Sequence, residues 1–179
     1  MQYINIFRMI FFLIGFMGSG KTHWGEIWAE TCGLNFIDLD EVVERKEGKT
    51  IAVIFENNGE EYFRQIEAAT LRSFDGQTNT IIACGGGTPC FLDNMQWMNE
   101  HGTTVYLSSD SSEILKRVLP KQGKRPLISK MTEEELLLFI EQKLHERAPF
   151  YAAAKFTLST LNLSDNSFGD VLSLAQSVS

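Results

Sequence analysis

Eight residues, Gly15-Phe-Met-Gly-Ser-Gly-Lys-Thr22, constrain this chain more than any other stretch. They match G-x-x-x-x-G-K-[ST], a loop that cradles phosphate, and they stand in the context that pattern requires. An apolar run over residues 9–14 leads in, and a segment with helical spacing, residues 22–32, leads out. Glycines at 15, 18 and 20 let the backbone curl until successive N–H groups converge on phosphate oxygens. The helix behind adds its positive N-terminal end. Lys21 can reach the β- and γ-phosphates, and the Thr22 hydroxyl can ligate Mg²⁺.

The rest of the chain bounds what the loop can serve. At 179 residues and 44% hydrophobic, the sequence suits one domain over 1–179 with a substantial core. A net charge of −7 argues against a general nucleic-acid binder, so any anion must be held by local basic groups. The 3 cysteines, Cys32, Cys84 and Cys90, form no paired metal spacing and read as reduced thiols of a cytoplasmic protein. The run from residue 4 to 17 is apolar, but it enters the glycine loop and is too short to span a bilayer. Residues 9–14 read instead as a parallel strand buried on both faces, with residues 1–8 as an N-terminal extension and Met9 as an alternative start.

Beyond the loop, Trp24, Ile27, Trp28 and Thr31 keep helical spacing, and the tryptophans read as core anchors. Residues 35–40 form a short strand ending in two acids, followed by a helix over 41–46 closed by Gly48. Thr50 caps residues 51–56, Gly59 interrupts, and a longer helix covers about residues 60–74. Residues 80–84 are a second buried strand running into Gly85-Gly86-Gly87. A helix over 93–100, a strand over 103–107 and an Asp110-capped helix to about residue 119 come next. Residues 120–131 hold two prolines, a glycine and four basic residues and read as a mobile loop. Thr132-Glu-Glu-Glu135 is a capping box, opening a helix that Pro149 is expected to break. A last strand over 156–158 and a last helix over 168–178 finish the alternation.

Five strands alternating with helices imply a parallel sheet covered on both faces. Ligands of such sheets gather at the carboxyl ends of the strands, where the loop, Asp38, Asp40 and the three glycines all fall. Asp38 and Asp40, two apart on a strand end, are expected to project from one face. One could organise Mg²⁺ through water and one could accept a proton from an attacking hydroxyl; alternatively both are turn residues, with Asp40 capping the next helix. Three glycines after a buried strand suit close approach of a ligand, or a flexible connector. Arg64 is either a surface partner of Glu67, three residues on, or a carboxylate clamp that Glu67 orients. Arg147 is either a helix-end charge or an anion ligand.

Taken in order, these features resemble shikimate kinase. They are Gly15-x-x-Gly-x-Gly-Lys-Thr22, Asp38-Leu-Asp40, Thr50-Ile-x-x-Ile-Phe-Glu-x-x-Gly-Glu-x-x-Phe-Arg-x-x-Glu67, Gly85-Gly-Gly87, Arg125-Pro-Leu127 and Arg147-Ala-Pro-x-Tyr151, spanning about residues 9–151. The resemblance implies a three-layer α-β-α P-loop fold, a five-stranded parallel sheet with helices on both faces, and a mobile lid at about 120–131. It implies a monomeric, cytoplasmic enzyme of the nucleoside-monophosphate-kinase branch, with Mg²⁺, ATP and shikimate as its ligands and neither nucleic acid nor membrane as partner. The phosphate of ATP would go to the 3-hydroxyl of shikimate.

Residue by residue, the resemblance puts Asp40 on the substrate hydroxyls as general base. It puts Arg64 and Arg147 on the substrate carboxylate, with backbone contacts from Gly85, Gly86 and Gly87. Gly18, Ser19, Gly20, Lys21, Thr22 and His23 would face ATP, with Asp38 holding Mg²⁺ through water beside Thr22. Arg125 would come from the lid to the phosphates, and Arg117 would lie against the base. His23 stands where relatives often carry a hydroxyl, and its side chain reads as structural. Residues 158–167 lack the Asp-Thr and proline expected near adenine. Gluconate kinase, a non-catalytic relative and a nucleotide switch are the rival readings. The switch lacks an Asn-Lys-x-Asp sequence, and the non-catalytic form is disfavoured because Lys21, Asp40, Arg64 and Arg147 are all present.

Overall fold

The computed structural model describes residues 9–124 and 128–178. β1 (Ile10–Ile14) is buried at all five positions. Its side chains alternate between two cores: Ile10, Phe12 and Ile14 face one, and Phe11 and Leu13 the other. A strand apolar on both faces has to lie inside a covered sheet, and this one does. It pairs in parallel with β3 (Thr80–Ala83) and β4 (Thr103–Ser108), and the sheet ends in β2 (Asn35–Asp38) and β5 (Phe156–Ser159). The order is β2-β3-β1-β4-β5, every pairing parallel. Sequence and structure agree on these five strands and on the α/β layout.

α1 (Lys21–Cys32) and α7 (Ser167–Val178) cover one face. Trp28 is fully buried between them, stacked on Phe168 at 5.3 Å, and its indole N–H donates to Ser164 O at 2.9 Å. α2 (Leu39–Glu47), α3 (Ile51–Arg72) and α4 (Asn94–His101) supply the other face. A third cluster joins Phe16 to α5 (Ser111–Val118), Ile128 and α6 (Glu133–Ala152). Among the described residues no helix is long and apolar enough to cross a membrane.

Several local expectations are corrected. β2 stops at Asp38, so Asp40 lies in the first turn of α2 rather than on the strand. The helix cap is Asp38, whose Oδ1 accepts from Asp40 N at 3.0 Å; Asp40 is not the cap. Pro149 does not end α6, which continues to Ala152. The lost N–H removes one helical bond, but the buried ring of Tyr151, stacked on Tyr106 at 4.9 Å, holds the last turn against the sheet. Asp110 stands at the N-cap of α5 without a side-chain cap bond. Residues 119–124 form a 3₁₀ helix (Leu119–Lys124) rather than an irregular loop. Gln122 Nε2 donates to Ile128 O at 2.5 Å and Met131 O at 2.6 Å, and Ile128 is fully buried, so Gln122 ties this helix to residues that belong to the third cluster. Thr50 does cap α3, and Gly59, at φ 81° and ψ 175°, breaks its helical geometry where the sequence places an interruption.

Candidate active site

The loop after β1 is built around its turns. Ser19 N–H closes a turn on Phe16 O at 3.1 Å, and Gly20, at φ 94°, hands the chain to α1. Gly18 has φ +79°, and a methyl group there would stand 2.7 Å from Val118 Cγ2, so α5 presses on the loop too closely for a side chain. Lys21 is buried and its Nζ donates to Gly15 O at 2.8 Å and Phe16 O at 2.9 Å, bridging the loop. The Ser19 hydroxyl is buried with no hydrogen-bond partner among the described residues, and it lies 3.0 Å from where a Cβ on Gly15 would stand. Thr22 Oγ1 donates to Asp38 Oδ2 at 2.8 Å, joining the loop to the end of β2. His23 is exposed and packs edge-on to Trp24 at 5.3 Å. Arg117 reaches over the loop, its Nη1 3.5 Å from Gly18 O. Arg125 lies outside the described residues.

The three glycines after β3 explain themselves by what stands next to them. None takes the left-handed backbone that only glycine favours; the reason is room. A methyl group on Gly85 would lie 3.0 Å from Asp40 Oδ1, Glu67 Oε1 and Thr88 Oγ1. On Gly86 it would lie 3.2 Å from Arg147 Nη1 and from Met17 N, in the phosphate loop. On Gly87 it would lie 2.6 Å from Arg64 Nη2. One short segment thus touches the carboxylate, both arginines and the donor loop. A flexible connector would have no such neighbours.

Glu67 and Arg64 hold one another in this cluster. Glu67, 1% exposed, accepts from Arg64 Nη1 at 2.9 Å and from Thr88 Oγ1 at 2.6 Å. The buried carboxylate therefore aims the guanidinium, a much stronger restraint than a solvated helix pair. Arg64 also donates through Nε and Nη2 to Glu60 Oε1, at 3.2 and 3.0 Å, and lies over the Phe91 ring at 4.2 Å. Arg147 lies over the Phe16 ring at 5.3 Å, next to the donor loop. Asp40 feels the cluster most. Burial, then the nearby carboxylates of Asp38, Glu67 and Glu44, raise its pKa to about 7, against the pull of Lys21. Burial raises the Cys90 thiol, with Arg147 and Arg64 opposing, so it stays protonated.

The arrangement brings together Lys21, Thr22, Asp38, Asp40, Arg64, Arg147 and the three glycines, all named from sequence. Glu60, Phe91, Phe16 and Thr88 were missed. Glu60 was legible in principle, four residues before Arg64 on one helix face. The contacts of Phe16, Thr88 and Phe91 cross between elements and leave no local pattern.

A parallel sheet with this loop at the carboxyl end of its central strand, facing a pocket of fixed charges, defines a P-loop phosphotransferase. The shikimate kinase family model matches residues 17–175, and the chain belongs to that family. Relatives bearing the name shikimate kinase include those of Parabacteroides distasonis, 44% identical over 82% of this chain and 84% of the relative, and Phocaeicola vulgatus, 40% identical over 86% and 88%. Among solved structures, shikimate kinase from Acinetobacter baumannii in complex with shikimate superposes with a TM-score of 0.85 at 31% identity, covering 97% of this chain and 96% of that one. The Bacteroides thetaiotaomicron enzyme gives 0.84 at 35%, covering 96% and 97%. A gluconokinase from Sinorhizobium meliloti shares the fold alone, at TM-score 0.61 and 16% identity.

Proposed function

We propose that this protein transfers the γ-phosphate of ATP to the 3-hydroxyl of shikimate, giving shikimate 3-phosphate and ADP. One observation carries the reading: Gly85, Gly86 and Gly87 abut, in turn, Asp40 with Glu67, Arg147 with the loop backbone, and Arg64. An acceptor seated on those glycines lies within reach of a base, two guanidinium groups and the phosphate donor at once. Two arginines suit a carboxylated acceptor, because each offers charge-assisted bonds to a planar anion.

In this mechanism Arg64 and Arg147 grip the substrate carboxylate, and Gly86 and Gly87 offer backbone N–H donors beside them. Asp40, with a pKa near neutrality, accepts the proton of the attacking hydroxyl; a base is most effective when its pKa matches the working pH. Lys21 exchanges the loop carbonyls of Gly15 and Phe16 for phosphate oxygens, trading neutral acceptors for charged ones. Arg117 lies beside the loop on the nucleotide side, and Arg125 is assigned to the phosphates from the lid at 120–131. Closure of that segment would exclude water from the transfer.

The residues fit Mg²⁺. Thr22 Oγ1, in the first turn of α1, and Asp38 Oδ2, at the end of β2, are hard oxygen ligands 2.8 Å apart. Among the described residues no group of three His, Cys, Asp or Glu could hold a metal unaided, as suits an ion bound with phosphate oxygens and water. Bound with ATP, the ion would neutralise phosphate charge. On this reading one domain, in a cytoplasmic monomer, supplies the whole site.

The test is a coupled ADP-release assay with ATP and Mg²⁺, comparing shikimate, gluconate and nucleoside monophosphates. Shikimate should give turnover and the others background. In Arg64→Ala and Arg147→Ala, shikimate affinity should each time fall by about 1.5–3 kcal/mol, the range for charge-assisted bonds. Turnover with gluconate, or unchanged affinity in both variants, would overturn the assignment.

A further inference from the structure

Tyr151 lies on α6 four residues after Arg147, one helical turn along, and nothing in the proposed reaction uses it. Its ring is 1% exposed and stacks on Tyr106 in β4 at 4.9 Å with an interplanar angle of 21°. Its hydroxyl donates to Gly86 O at 2.6 Å across 65 residues of sequence. Burial pushes the phenol pKa up, with Arg147 opposing, so the group stays a donor through the neutral range.

That bond falls on a particular peptide. Among the described residues no peptide is cis, so the Gly86 C=O and the Gly87 N–H point in opposite directions within one plane. Fixing the carbonyl on Tyr151 aims the Gly87 amide the other way. The amides of Gly86 and Gly87 have no acceptor among the described residues, so they stand ready for a ligand. Two consecutive glycines otherwise leave the peptide between them free to turn over, because neither has a Cβ to restrict it.

We propose that Tyr151 is a positioning residue: its hydroxyl tethers the Gly86–Gly87 peptide so that the Gly87 amide is held as a donor to the substrate carboxylate. α6 would then contribute twice to one anion site, directly through Arg147 and indirectly through the Gly87 N–H. The inference rests on the proposed function only for the identity of the acceptor. Tyr151 does not touch the reacting atoms.

The experiment compares the full chain with Tyr151→Phe, which keeps the ring and its stack on Tyr106. Two readouts are taken: steady-state kinetics in both substrates, and the ¹H–¹⁵N resonance of the Gly87 amide in the ligand-free protein. The tether predicts that KM for shikimate rises about five- to tenfold; because the same hydroxyl also bonds Arg147, the Gly87 resonance is the readout that separates the tether from a displaced Arg147. It predicts kcat and KM for ATP within about twofold, since phosphate transfer itself is untouched. It also predicts a displaced or broadened Gly87 resonance. An unchanged resonance overturns the tether whatever the substrate is. An unchanged shikimate KM, or kcat and both KM values changing together with a lowered melting temperature, overturns the positioning role. Should the parent protein fail to phosphorylate shikimate, the proposed function falls, and the amide resonance alone then decides the tether.

Discussion

Asp40→Asn should stabilise the protein while abolishing its reaction, and the stabilisation should depend on pH. The Asp40 pKa stands at about 7 against 3.8 for a free aspartate, because burial and the carboxylates of Asp38, Glu67 and Glu44 disfavour its charge. A gap of about three pH units, at about 1.4 kcal/mol each, gives an upper figure of about 4 kcal/mol. Asp40 keeps some contact with solvent, which screens the charges, and about 2 kcal/mol is the working expectation. The unfolded chain gives up this proton near pH 3.8, whereas the folded protein keeps it until about 7. Between those values the folded state binds more protons, so its stability falls as pH rises. The contribution is fully present below the lower value and lost above the upper one. Asparagine has no proton to lose. Thermal melts of both proteins at about pH 4.5 and about pH 8 should therefore diverge, the variant gaining about 4–8 °C on the parent at the higher pH. All other groups titrate in both proteins, so the difference isolates Asp40. A gap between the two proteins that is the same at both pH values would refute the account of a charge strained by its neighbours.

Two further outcomes test how the pocket is held. Gly87→Ala places a methyl group 2.6 Å from Arg64 Nη2, so the guanidinium must move. The KM for shikimate should rise about tenfold or more while KM for ATP is preserved, and a normal shikimate KM in the kinetic assay would count against the packing. Glu67→Ala breaks a pair whose partners are 12% and 1% exposed and leaves the Thr88 hydroxyl without its acceptor. It should lower stability by about 3 kcal/mol, read as a melting temperature lower by about 6–12 °C, and weaken shikimate binding in the same protein. A loss no larger than for a surface pair would place Arg64 outside the buried network.

What the sequence determined by itself is what short-range chemistry dictates. The phosphate loop was legible because its glycines, lysine and threonine must stand at one spacing. β1 was legible because five successive buried apolar residues suit only a covered strand, and the Thr132–Glu135 capping box marked the start of α6. Asp40, Arg64 and Arg147 could be named as candidates, but not chosen over solvated charges without the likeness to a family. The tertiary structure adds what they touch. Arg64 is more than a solvated helix pair because Glu67 is buried and shared with Thr88, and burial is a property of the whole packed chain. Local rules misjudged two boundaries for the same reason: Asp38 rather than Asp40 took the cap, and α6 ran through Pro149 because Tyr151 is anchored in the core. The three glycines are the clearest division. Their number is written in the chain, while the reason for it, close packing against Asp40, Arg147 and Arg64, exists only once residues far apart in sequence meet.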